Sequence, residues 1–217
     1  MAAVSGGMVA ASEPHHPGPL TVGFLGDSWT CGLGLSDAGT QGDETRGFTA
    51  QAADELGWSA VTECVGGTGY TRPAGATYGD RLGDLLDAKP DVVVVQGSTN
   101  DVPSDPDDLA AAAAAVLNRI AEELPDASRV VVGPAYTPGS SPGRIDLLRD
   151  VLADAAADHD EVWLDLVDAQ LADDHFTDDF HPTDAGHARL GRWLAEELGL
   201  LANGGPRADS APSLVSW

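Results

Sequence analysis

Basic residues are scarce in this chain of 217 residues. Eleven lysines and arginines stand against 35 aspartates and glutamates, a formal net charge of -24, and Lys89 is the only lysine. A surface this negative repels phosphate backbones and anionic headgroups, so nucleic acid is not expected as a partner. Solubility, or a saline or GC-rich background, accounts for the charge more simply than attraction of cationic ligands. Cysteine is nearly absent as well. Cys31 and Cys64 form no Cys-x-x-Cys pair and join no His/Cys cluster, which excludes the usual zinc patterns; no metal is expected. Both follow predicted strands, and a bridge between them and two free buried thiols stand as equal alternatives. No apolar run reaches the length of a membrane span, so stable membrane insertion is not expected. Residues 1–19 lack the basic start and apolar centre of a signal peptide. Localisation stays open between cytoplasm and secretion, and oligomeric state is open too.

Hydrophobic residues make up 42% of the chain, enough for a sizeable core without metals or disulfides. Residues 1–19 read as a flexible leader, 20–201 as one domain and 202–217 as a flexible tail. His15 and His16, in the leader, have no third ligand nearby and read as a polar pair. Short apolar runs predict strands over Leu20–Leu25, Ser59–Glu63, Asp91–Gln96, Arg129–Gly133 and Val162–Leu166. The run Val92-Val93-Val94-Val95 suits a strand covered on both faces. Helical spacing marks Phe48–Leu56, Tyr78–Leu86, Leu109–Leu124, Ile145–Ala157 and Thr183–Leu198. Strand and helix thus alternate five times, which predicts an α/β fold with a parallel sheet flanked by helices. Ligands in such folds sit beyond the carboxyl ends of the strands, so the loops after those strands are where chemistry is sought.

Four of these loops carry reactive groups. Gly26-Asp27-Ser28-Trp29 follows the first strand, and Gly26 permits a tight turn that projects the Ser28 hydroxyl. A serine nucleophile needs a base. His181, in Asp178-Asp179-Phe180-His181-Pro182, can supply it, with the Asp178 carboxylate three residues away to hold the ring. Val65-Gly66-Gly67-Thr68-Gly69-Tyr70 offers backbone N–H groups for an anion. Gln96-Gly97-Ser98-Thr99-Asn100-Asp101 offers the Asn100 amide. Each loop alone also reads as ordinary turn or cap chemistry. Their conjunction, in the order Ser, Gly, Asn, Asp-x-x-His, points to ester hydrolysis. His187 reads as structural. His175 lacks a carboxylate three residues upstream, and His159 suits a helix end.

The set resembles the SGNH/GDSL hydrolase superfamily over roughly residues 20–200. Trp29 stands where leucine is common in that family, and Ser98 where glycine is common. The resemblance implies a three-layer α/β/α sandwich with a five-stranded parallel sheet, the flavodoxin-like SGNH fold. It implies a triad of Ser28 as nucleophile, His181 as base and then acid, and Asp178 as orienting carboxylate. It further implies an oxyanion hole from the Ser28 N–H, the Asn100 amide and a glycine N–H, with Gly69 the first choice and Gly67 the second. No cofactor is implied. The expected activity is hydrolysis of a carboxylic ester through an acyl-serine. No long apolar lid is visible, which favours short acyl groups such as acetyl on a small molecule or carbohydrate. The alternatives are an acyltransferase or a lipid or thioester hydrolase on the same triad, and a non-catalytic binding module.

Overall fold

Five runs of β-branched and aliphatic residues pair as one parallel sheet in the computed structural model, which describes residues 18–73 and 75–204. The strands are β1 (Thr21–Gly26), β2 (Ser59–Cys64), β3 (Val92–Gln96), β4 (Ser128–Val132) and β5 (Val162–Leu164), in spatial order β2-β1-β3-β4-β5. The helices are α1 (Phe48–Leu56), α2 (Tyr78–Asp87), α3 (Pro106–Glu123), α4 (Pro142–Asp158) and α5 (Asp184–Ala202). The expected five-stranded α/β architecture is the one observed.

Side-chain alternation along β3 explains the layers. Val92 and Val94 face a core built with Phe48 and Ala52 of α1 and Leu190, Trp193 and Leu194 of α5. Val93 and Val95 face the other core, built with Leu82 and Leu85 of α2, Leu117 and Ile120 of α3, and Leu148 and Leu152 of α4. A strand buried on both faces has no polar face to show, hence the unbroken valines. In β1, Gly23 lies so close to Leu85 and Pro90 that a Cβ would sit 2.9 Å from each. That glycine lets α2 pack directly on the sheet.

Local signals set the helix ends. Thr77 and Asp80 form a reciprocal capping box at the start of α2, and Thr183 caps α5. Gly57, left-handed at φ 68, closes α1. Two helices begin three residues earlier than the apolar spacing predicts, α3 at Pro106 and α4 at Pro142. Proline is favoured in the first turn, where its missing N–H costs nothing. The fifth strand ends at Leu164 rather than Leu166, because Leu166–Ala169 winds into a 3-10 turn capped by Asp165.

The chain crosses from β1 to β2 on one side and then to β3 on the other. The strand order therefore reverses between β1 and β3, the position at which a cleft opens at the carboxyl ends of a parallel sheet. A Cys31–Cys64 disulfide, with Cα atoms 5.4 Å apart, ties the turn after β1 to the end of β2. This resolves the two alternatives for the cysteines in favour of a bridge. Most of the expected leader, His15 and His16 included, and most of the expected tail lie outside the described residues. Among the described residues no helix is long and apolar enough to cross a membrane.

Candidate active site

The turn after β1 is built around two side chains. A Cβ at Gly26 would collide with the Thr30 side chain, which folds back over it. Asp27, 2% exposed, then anchors the turn from inside. Its Oδ1 accepts the Trp29 N–H at 2.9 Å and its Oδ2 accepts the Ser98 hydroxyl at 2.6 Å. Burial pushes the Asp27 carboxyl up, while the bonds from Ser98 and the Trp29 N–H oppose that rise. Between these anchors Ser28 presents its hydroxyl to a cleft of about 830 Å³.

His181 enters the same cleft from the loop before α5. Its Nε2 lies 3.2 Å from Ser28 Oγ, and its Nδ1 lies 2.9 Å from Asp178 Oδ2. A carboxylate can only accept, so Nδ1 carries the proton and Nε2 turns its lone pair to the serine. The other Asp178 oxygen accepts the N–H groups of Phe180 at 2.7 Å and His181 at 2.6 Å. Partial burial works to raise the Asp178 carboxyl. The bonds from the His181 ring and from the two backbone N–H groups outweigh it and hold the group below the ordinary carboxylate value.

The glycine loop departs from expectation. Gly69 does not reach the cleft: its N–H donates to the Arg72 carbonyl at 2.6 Å and its carbonyl accepts the Tyr78 N–H at 2.9 Å. Its small size serves the buried Asp101, whose carboxylate fills the space a Cβ would occupy. That carboxylate accepts the N–H groups of Tyr70 at 2.9 Å and Thr71 at 3.0 Å. Gly66 and Gly67 line the cleft instead. A Cβ on Gly66 would stand 3.6 Å from Ser28 Cβ, and Gly67 is left-handed at φ 76. Among the described residues the N–H groups of Gly66, Gly67 and Ser28 have no hydrogen-bond partner, so they remain available to an oxyanion.

Asn100 lines the same cleft as Ser28. Its Nδ2 lies 2.9 Å from the Thr68 carbonyl, 2.9 Å from Ser98 Oγ and 3.3 Å from Asp27 Oδ2. Ser98, unusual beside the family pattern, is the hub of this wall. Its hydroxyl donates to Asp27, lies 2.9 Å from the Thr68 carbonyl and accepts the Asn100 N–H at 3.1 Å. From behind, the Arg81 guanidinium donates to the Gly26 carbonyl and to Thr68 Oγ1, both at 3.0 Å. The nucleophile turn, the glycine loop and the Asn loop are thus one hydrogen-bonded unit.

The loop after β4, on the expected side of the sheet, adds residues with no motif of their own. It lines the cleft through Gly139, Ser140 and Ser141. Gly139 donates its N–H to the Asp179 carbonyl at 2.8 Å, and a Cβ there would strike the Phe180 ring. Pro138-Gly139 is a turn signal, but nothing in it reveals a partner 40 residues away. His187 is fully buried away from the reacting atoms; its Nδ1 accepts the Phe48 N–H at 3.3 Å and its Nε2–H donates to the Leu33 carbonyl at 3.1 Å. Burial pulls its pKa down. A second hollow of about 610 Å³, lined by Leu20, Lys89 and Ser128 among others, lies at the amino ends of the strands, and no triad residue borders it. Among the described residues no cluster of three or more His, Cys, Asp or Glu can hold a metal.

With this geometry in hand, the family is decided by one match. The model of the GDSL-like Lipase/Acylhydrolase family matches residues 24–189. The chain belongs to that family. The match spans every candidate residue from Ser28 to His181, and this GDSL-family chain is an ester-hydrolysing enzyme. It is 29% identical over 193 residues to GDSL lipase Rv0518 of Mycobacterium tuberculosis (strain ATCC 25618 / H37Rv), covering 83% of this chain and 80% of that one. In fold it is similar to Est24, a carbohydrate acetylesterase from Sinorhizobium meliloti, with a TM-score of 0.69 at 17% identity over 84% of this chain and 98% of that one. A family two carbohydrate esterase from Clostridium thermocellum, solved with cellohexaose, gives a TM-score of 0.67 at 22% identity, over 87% of this chain and 67% of that one.

Proposed function

We propose that this GDSL-family enzyme hydrolyses short-chain carboxylic esters through an acyl-serine, with Ser28, His181 and Asp178 as its triad. The observation that carries this reading is the Ser28–His181–Asp178 relay of 3.2 Å and 2.9 Å. Ser28 Oγ attacks the ester carbonyl while His181 Nε2 takes its proton. Asp178 holds the Nδ1 tautomer and stabilises the imidazolium. Charge develops on the carbonyl oxygen as the C=O opens. The Ser28 N–H and an N–H of Gly66 or Gly67 receive it, and the Asn100 amide, which lines the same cleft, joins them by turning one Nδ2 hydrogen from its present acceptors, the oxygens of Thr68, Ser98 and Asp27. His181 protonates the departing alkoxide and leaves Ser28 acylated. It then takes a proton from water, whose oxygen attacks the acyl carbon, and returns that proton to Ser28 as the acid departs.

The cleft favours uncharged substrates. Its apolar walls are Trp29, Leu33, Val65, Val102 and Phe180, and its polar lining is made of hydroxyl and amide groups such as Thr40, Gln41, Ser140 and Ser141. Among the described residues no arginine or lysine lines it, so a substrate carboxylate would be buried without a counter-charge. Hydroxyl and amide groups suit the alcohol side of an acylated sugar, in keeping with the carbohydrate esterases of similar fold. The test is a series of p-nitrophenyl esters of increasing acyl length beside acetylated sugars, with Ser28→Ala as control. Activity should be highest on short acyl groups and vanish in the control. A preference for long acyl chains, or activity that survives in Ser28→Ala, refutes the reading.

A further inference from the structure

The peptide unit that carries His181 is held at both ends. Its N–H donates to Asp178 Oδ1 at 2.6 Å. Its carbonyl, that of Phe180, accepts the indole Nε1–H of Trp29 at 2.9 Å. The first bond is local to the loop. The second reaches across 151 residues of sequence to the side chain next to Ser28.

The difference between these bonds decides what each can do. Asp178 and His181 share a loop, so Asp178 can set the rotation of the imidazole but moves with it. It cannot set the distance from the imidazole to Ser28. The loop is also open to solvent, with Phe180 45% exposed. Among the described residues, the Trp29 bond is the one hydrogen bond besides the Ser28–His181 contact that joins this loop to the nucleophile turn. Trp29 is a fit anchor. It is 4% exposed, its N–H is held by Asp27 at 2.9 Å, and its ring centroid lies 6.0 Å from that of Phe176.

We infer that the Trp29 indole N–H is a positioning group for the reaction, clamping the Phe180–His181 peptide so that Nε2 stays in register with Ser28 Oγ. A leucine in this place would pack but has no hydrogen to donate. Without the donor the Phe180 carbonyl turns to water; the loop keeps its tie to the loop after β4, the Gly139 N–H on the Asp179 carbonyl at 2.8 Å, but loses the bond that fixes its distance from the nucleophile turn. A misplacement of about 1 Å at reacting groups costs on the order of 10²-fold in rate. The inference rests on Ser28 and His181 as the reacting pair.

Two variants remove the donor while keeping an aromatic ring against Phe176: Trp29→Phe, and replacement of Trp29 by β-(3-benzothienyl)alanine, whose sulfur takes the place of the N–H in a bicycle of the same shape. With p-nitrophenyl acetate, kcat should fall about tenfold or more in both, and in the benzothienyl variant, which keeps the cleft wall that Trp29 forms, KM should stay within about twofold, the pattern of a group that aligns rather than binds. The rate of phosphonylation by a fluorophosphonate should fall in parallel. The benzothienyl variant, which changes one atom of the ring, keeps the test valid where Trp29→Phe folds poorly. A kcat within about twofold of wild type in the folded benzothienyl protein overturns the inference. Failure of the reacting pair itself looks different, since Ser28→Ala would then remain active whatever stands at position 29.

Discussion

Ser98→Ala is the sharpest perturbation of the wall behind the nucleophile. The hydroxyl is buried, and its removal strips Asp27 Oδ2 of its closest donor, at 2.6 Å, and the Asn100 N–H of its acceptor. Asp27 is itself buried and cannot recruit water in compensation. A hydrogen bond to a charged or strongly polar buried group contributes about 1.5–3 kcal/mol, so a loss of about 2 kcal/mol of stability is expected. For a domain of this size that corresponds to a fall in Tm of roughly 4–8 °C. Activity should fall less than on removal of an oxyanion donor, which costs about 10²–10³ in kcat, because Asn100 keeps its bond to the Thr68 carbonyl. A kcat loss of about tenfold is expected, against a larger one for Asn100→Ala. Urea unfolding followed by tryptophan fluorescence, with kcat on p-nitrophenyl acetate, reads both quantities. If Ser98→Ala unfolds within about 0.5 kcal/mol of wild type and turns over at the same rate, the hub does not hold the wall.

Three further perturbations separate other parts of the account. Replacing Cys31 by serine opens a loop spanning 33 positions, which should cost roughly 3–4 kcal/mol by loop entropy; denaturant midpoints with and without reductant check this, and a reductant-insensitive wild type contradicts it. Burial raises the Asp27 carboxyl in the folded chain, so the fold binds its proton more tightly than the unfolded chain does; stability from this group is present below the unfolded value and declines as pH rises through the folded one. Asp27→Asn should therefore remove one proton's worth of that decline as pH rises above the ordinary carboxylate range, and an unchanged slope of unfolding free energy against pH would count against it. Gly66→Ala meets Ser28 at an ordinary contact distance and should spare the fold while lowering kcat, whereas Gly69→Ala drives a methyl into Asp101 and should cost about 1–3 kcal/mol of stability. The reverse pattern would restore Gly69 to the cleft.

The sheet was legible because its signals are local. Four consecutive valines mark β3, and Gly57 and Thr183 mark helix ends within one turn of where they act. Apolar spacing sets the starts of α3 and α4 three residues late, because the first turns at Pro106 and Pro142 carry polar residues that face no core. The Ser28, Asn100 and His181 loops are legible only as a set, since each alone reads as turn or cap chemistry and their order carries the information. Within the glycine loop that logic fails. Gly66, Gly67 and Gly69 are the same residue in the same turn, and only the Asp101 carboxylate behind Gly69 separates them. The contacts that hold the site together were invisible for a related reason. Asp27 and Ser98 lie 71 positions apart, and Trp29 and Phe180 lie 151 apart. Neither pair has a spacing that any periodicity could reveal.

The most direct test of the account is stoichiometric labelling by a fluorophosphonate, read by intact mass and by sequencing the labelled peptide. The account predicts one adduct per chain, on Ser28, lost in Ser28→Ala and strongly slowed in His181→Ala. A folded wild-type protein that takes up no label, or an adduct that persists in Ser28→Ala, would contradict it.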